Sequence, residues 1–140
     1  MVIVKDYPCQ FEIVKADDLK GFKNFFYNSF MHYYLRHQIR GLPPGLRKEI
    51  AESKADFICK NCKFLVGVDH DVPGIYYCYV AFYLLDDSLY LYMAYVKKDF
   101  RKFGFFRKSV EILREKAYYY YYSMPIESNL LHDFTYKEAM

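Results

Sequence analysis

The stretch Tyr90-Leu91-Tyr92-Met93-Ala94-Tyr95-Val96-Lys97-Lys98-Asp99-Phe100-Arg101-Lys102-Phe103-Gly104-Phe105-Phe106-Arg107-Lys108-Ser109-Val110 sets an aromatic, strand-like run against an amphipathic helix. A short basic loop and one glycine separate the two. The first amides of a helix have no partner within it, so a strand, a glycine turn and a helix start together cradle an anion. Lys102 and Arg107 lie beside that point, and Lys97, Lys98, Arg101 and Lys108 surround it. The segment predicts a phosphorylated ligand.

Working outward, residues 89–96 read as the last strand of a meander, with strands over 63–68 and 75–84 before it. Asp69-His70-Asp71-Val72-Pro73-Gly74 and Asp86-Asp87-Ser88 are the turns. The helix after Gly104 carries Phe106, Val110, Leu113 and Ala117 at helical spacing. Upstream, Phe11-Glu12-Ile13-Val14-Lys15 alternates as a first strand. Asp17 or Asp18 then caps a helix over 19–36, whose apolar positions are Phe22, Phe25, Phe26, Phe30, Tyr33 and Tyr34. Gly41-Leu42-Pro43-Pro44-Gly45 breaks the chain before a shorter helix over 46–54. Downstream, the tyrosines at 118–122 read as a strand ended by Pro125, and a last helical segment is expected from Glu127 onward. The order is β-α-α-β-β-β-α-β-α, within one domain covering residues 1–140.

Composition agrees with a packed domain. Of 140 residues 54% are hydrophobic, which excludes a disordered chain, and 21% are aromatic with no Trp. A net charge of +3 is too small to argue for nucleic acid by itself, so the local basic cluster carries more meaning than the total. The N-terminus has no long apolar stretch and no apolar run reaches spanning length, so a cytosolic protein with no membrane association is expected. Cys9, Cys59, Cys62 and Cys78 are accordingly expected as reduced thiols.

The pattern Val96-x-x-x-Phe100-Arg101-x-x-Gly104 resembles the acyl-CoA loop of the GNAT N-acyltransferase superfamily, V-x-P-x-Y/F-R/Q-x-x-G-x-G/A. Lys98 stands at the usual Pro, and Phe106 at the final small residue, where a phenyl group threatens the close approach of phosphate to backbone. The element order is also that of the family from its first strand to its fourth helix, although members usually continue into two more strands. Asn24-Phe25-Phe26-Tyr27-Asn28-Ser29-Phe30 is further similar to a Y-N-S-W segment of GNAT-like proteins of tailed phages.

The resemblance implies a mixed, mostly antiparallel sheet flanked by helices, and acyl transfer from acetyl-CoA to an amine by direct attack. It implies that backbone at Met93, Ala94, Tyr95 and Val96 holds the pantetheine arm. Arg101, Lys102, Phe103, Gly104, Phe105 and Phe106 would bind the pyrophosphate. Asn129 and Tyr136 have the family's N-x6-Y spacing on the fourth helix, which implies Asn129 toward the cofactor and Tyr136 as the acid that protonates the leaving thiolate. The strand before the loop offers no carboxylate or imidazole as a base, only Ser88, Tyr90 and Tyr92; Asp86 and Asp87 lie at its start, and His32 or Glu12 would come from elsewhere.

Other readings have less support. Cys59-Lys60-Asn61-Cys62 has zinc-ligand spacing but would need two more ligands, such as His70 and Cys9, so no metal is expected. Tyr-rich strands beside Lys and Arg suit single-stranded nucleic acid, but the tyrosines sit where a sheet core wants them. The runner-up function is a non-catalytic GNAT-like binding or assembly module. A sheet edge left by a missing last hairpin would invite a homodimer through strand pairing.

Overall fold

A computed structural model describes residues 1–37, 41–85, 88–115, 119–122 and 135–138. One seven-stranded sheet runs in the order β1 (Val2–Val4), β2 (Tyr7–Val14), β3 (Lys63–Asp69), β4 (Tyr76–Leu85), β5 (Ser88–Val96), β6 (Tyr119–Tyr122) and β7 (Thr135–Glu138). The first five strands are antiparallel neighbours, whereas β6 lies parallel to β5 and β7 parallel to β6. A parallel neighbour needs a long crossover. Between β5 and β6 that crossover contains α3 (Phe105–Arg114).

Helices α1 (Phe22–His37) and α2 (Pro44–Asn61) connect β2 to β3 and cover one face of the sheet. Phe22, Phe26 and Phe30 form one helical stripe of α1, and Ala51, Ala55 and Ile58 form the facing stripe of α2. Both stripes close on Phe64, Val66, Tyr79, Ala81 and Met93. Tyr79 is at the centre, with its ring 5.3 Å from Phe26, 5.7 Å from Phe22 and 5.5 Å from Tyr95. Its hydroxyl meets Ser29 Oγ on α1 at 2.6 Å, so this fully buried phenol is satisfied. On the opposite face α3 packs Val110 and Leu113 against Leu65, Val80, Phe82, Leu89 and Leu91.

The mixed, mostly antiparallel sheet flanked by helices is the expected fold class. Four details differ. The β-branched run Val2-Ile3-Val4 is an extra outer strand, joined to β2 by a tight turn at Lys5 and Asp6. The second helix, expected over 46–54, continues to Asn61, so Cys59 lies in its last turn and Cys62 follows it. In α3 the core residue is Phe105 rather than Phe106, which is half-buried at the margin, while Ala117 lies outside the described residues. Of the helix expected from Glu127 onward, residues 127–134 lie outside the described residues and Thr135–Glu138 is a strand paired with the tyrosines of β6.

Candidate cofactor-binding site

The site starts at an irregularity in β5. Ala81 pairs with Met93 and Phe82 with Leu91, so Tyr92 is an extra residue bulged from the ladder. Two neighbours, Tyr92 and Met93, therefore both face α1 and α2. β6 pairs with β5 only from Ser88 to Leu91. Beyond the bulge, Met93, Ala94, Tyr95 and Val96 keep β4 on one side and have no strand on the other among the described residues. Their side chains serve the core, and the outward peptide groups of this edge meet no strand among the described residues.

The chain then enters the basic loop. Lys97 N–H donates to Tyr77 O at 2.9 Å, and a 3₁₀ turn follows over Lys98–Phe100. Arg101 folds back: its Nε donates to Val96 O at 2.9 Å and its guanidinium lies 5.8 Å from the Tyr95 ring. Arg101 thus clamps the end of β5, a structural role for this residue of the loop pattern. Lys102 (φ 70°) and Gly104 (φ 97°) are both left-handed, and together they turn the chain into α3. Gly104 bears that conformation without cost, while a lysine there is strained by about 1–2 kcal/mol.

Gly104 is the N-cap residue of α3 and no side chain caps this helix. The first helical bond runs from Lys108 N–H to Gly104 O at 3.0 Å. The amides of the first turn, at Phe105, Phe106 and Arg107, therefore stand open at the positive end of the helix dipole. Lys97, Lys98, Lys102 and Arg107 are exposed and make no ion pair among the described residues, whereas Lys108 is paired with Glu111 at 3.3 Å. A concentrated positive field faces solvent at the helix start.

The aromatic residues of the loop anchor it. Phe100 stands edge-on to Tyr7 at 5.0 Å and to Tyr77 at 4.8 Å, Phe103 stacks on Tyr7 at 5.6 Å, and Phe105 stacks on Tyr77 at 4.9 Å. Tyr77 in turn donates to Asp69, whose other oxygen accepts from the amides of Asp71 and Val72. These bonds hold the Asp69 carboxyl below its ordinary range, the Tyr77 bond contributing most. Phe106, named from the sequence as an obstruction, packs its ring at the margin of the α3–sheet core.

The remaining expected residues are not gathered here. Tyr136 stands on β7 opposite Tyr120, with β6 between it and β5, so the helix that was to aim it at a thiolate is absent at that position. Asn129, Asp86 and Asp87 lie outside the described residues. Glu12 is half-buried on β2 and His32 is exposed on α1. Cys62 belongs to the core under α1 and α2 and Cys9 to the core on the other face, so the four-ligand zinc set is divided by the sheet. Burial pushes the Cys62 thiol up to about 12 and the Cys59 thiol up to about 11. Among the described residues no three His, Cys, Asp or Glu side chains cluster as metal ligands.

The chain as a whole superposes on solved proteins of low sequence identity. A ribosomal-protein-alanine N-acetyltransferase from Brucella melitensis superposes with a TM-score of 0.56 at 15% identity, over 94% of each chain. A Staphylococcus aureus protein assigned to the GNAT family of acetyltransferases gives 0.55 at 14% identity, over 75% of this chain and 88% of its own. The fold is that of the GNAT acetyltransferases. The aminoglycoside N-acetyltransferase AAC(6')-Iy, solved in complex with CoA, gives 0.50 at 11% identity, over 96% of this chain and 94% of its own. No protein-family profile matches the sequence, and no curated protein matches it.

Proposed function

We propose that this chain is an acyl-CoA-dependent N-acyltransferase, most simply one that moves an acetyl group from acetyl-CoA to an amine. The observation that carries the reading is the continuity of two binding elements. An open backbone edge at Met93, Ala94, Tyr95 and Val96 runs directly into an uncapped helix start ringed by cations. The edge suits the amides of a pantetheine arm, and the helix start suits a diphosphate. The GNAT fold, and a neighbour of that fold solved with CoA, support the same ligand.

In the reaction the neutral amine nitrogen attacks the thioester carbonyl carbon. The C–S bond breaks, the nitrogen loses a proton, and coenzyme A leaves as thiolate and takes up a proton. The described residues beside the open edge bind and orient the thioester.

Phe106 favours a second reading, a GNAT scaffold that no longer binds cofactor, because its ring occupies the position where the family has a small residue. Calorimetric titration of acetyl-CoA into wild type and Phe106→Gly separates the two. Micromolar binding by wild type, with thiol release on an amine panel, is the expected result. Binding by Phe106→Gly alone would show a closed cofactor site and sink the enzyme reading.

A further inference from the structure

The bulge that opens the edge of β5 has an amine beside it. Lys54 of α2 is exposed, and its Nζ lies 5.7 Å from the centre of the Tyr92 ring and 5.8 Å from that of Phe57. Lys54 and Phe57 are three residues apart, so they share one face of α2, and the Phe57 and Tyr92 rings are 6.2 Å apart. Tyr92 packs in turn on Tyr83 at 5.6 Å, which stacks on Tyr90 at 4.7 Å. The helix offers this ammonium no carboxylate, because Ile50, Ala51, Phe57 and Ile58 fill the positions three and four residues away. Lys48 and Lys108, by contrast, pair with Glu52 and Glu111 at such positions. Lys5 and Lys97 also reach aromatic rings, but those of the loop, Phe103 and Phe100. Lys54 reaches β5 itself. The bulge is also where an acyl group would arrive. Four residues from Val96 back to Met93 cover about 13 Å at the rise of a strand, comparable to an extended pantetheine arm. Pairing with β6 ends at Leu91, so an arm laid along this edge from the loop ends at Tyr92.

We propose that Lys54 is an acyl acceptor, and that the chain transfers an acyl group from acyl-CoA to its own Lys54 Nζ. This rests on the reading of the β5 edge as a pantetheine site, and it names the class of amine that the site takes, a primary alkylamine. The ammonium first gives a proton to water. The nitrogen lone pair then attacks the thioester carbonyl carbon, a C–N bond forms, and the C–S bond breaks with its electron pair going to sulfur. A second proton leaves the nitrogen and the thiolate takes one up, so the products are an acylated lysine and free coenzyme A. Acylation removes the charge that the two rings attract, and the product side chain is released from them.

The test begins with calorimetric titration of acetyl-CoA. Wild type and Lys54→Arg are then incubated with acetyl-CoA and followed by intact and peptide mass spectrometry. Lys54→Arg keeps a long, charged side chain at an exposed position and removes only the acceptor amine. The expected result is a single acetyl group at Lys54, formed about tenfold faster than at other lysines, because the amine is held beside the thioester. Its rate should not depend on protein concentration, and Lys54→Arg should lack it. A second arm reads position without turnover, by labelling lysines with the N-hydroxysuccinimide ester of acetate. Coenzyme A should slow labelling of Lys54 and leave Lys20 and Lys60 unchanged. Acetylation spread evenly over lysines in folded and urea-unfolded protein overturns the proposal, as does a rate at Lys54 that rises with protein concentration. Unchanged labelling of Lys54 with coenzyme A bound also overturns it. Binding of acetyl-CoA with no acetyl on Lys54 overturns it while leaving the acyltransferase reading intact. Absence of acetyl-CoA binding overturns that reading, and this proposal with it.

Discussion

Gly67 shows how a single residue is fixed by its neighbours. It lies in β3 between Phe11 of β2 and Cys78 of β4, and two buried thiols close over it. An added Cβ would sit 2.8 Å from Cys78 Sγ and 3.1 Å from Cys9 Sγ, closer than packed atoms tolerate. Burial first, and the nearby Cys78 sulfur second, push the Cys9 thiol up to about 12, so both sulfurs stay protonated and apolar at neutral pH. Gly67→Ala should therefore destabilise the protein by about 1–3 kcal/mol through overpacking, read as a lower denaturation midpoint. In a Cys78→Ala background the same change should cost much less, and an equal cost in both backgrounds would rule out the clash with sulfur. Nothing in the sequence marks this glycine, because its need arises from strands that are distant in the chain. Gly104 was legible, because a strand, a basic loop and a helix pattern flank it locally. Phe105 and Phe106 were exchanged for a related reason: adjacent phenylalanines at a helix start differ by one position, and the left-handed turn at Gly104 decides which ring enters the core.

At the scale of elements, the loop that binds the proposed ligand is held mainly by aromatic rings from other strands. Tyr7 contacts Phe100, Phe103 and Phe105, three of the rings that frame Gly104. Tyr7→Ala should leave β2 paired with β3, since six ladder positions from Cys9 to Val14 persist without it. It should nevertheless cost about 2 kcal/mol of stability and raise amide exchange over residues 98–104 above that of the meander strands. Hydrogen exchange followed by mass spectrometry checks this, and unchanged exchange in the loop would show that β5 and α3 hold it unaided. This brace was missed because Val2-Ile3-Val4 was weighed only as a leader segment, although its β-branched residues carried a strand signal. The strands of the meander and both long helices were legible from periodicity and turn residues. Of the helix expected from Glu127 onward, Thr135–Glu138 is instead a strand, because its partner is a tyrosine strand that local periodicity does not reveal, and residues 127–134 lie outside the described residues.

At the scale of the whole molecule, the sheet divides into a continuous part and a parted one. β3 and β4 are paired on both sides and covered by helices on both faces, so their amides should exchange only on global unfolding. The last residues of β5 and the start of α3 are the exception, with backbone groups facing outward at the bulge and at an uncapped helix terminus. A ligand that occupies both should protect both together, although one is a strand edge and the other a helix end. Acetyl-CoA at about 100 times its dissociation constant should raise global stability by about 2.7 kcal/mol, read as a higher melting temperature. The local signature is more telling. Exchange at residues 93–96 and 103–107 should slow in parallel on titration, while the already protected amides of β3 move only with the global shift. Protection confined to 103–107 would mean that phosphate alone is recognised and the bulge of β5 holds no pantetheine. Protection of neither, in a chain that keeps its fold, would leave the parted strand as a structural feature of the scaffold and remove the physical basis for acyl transfer.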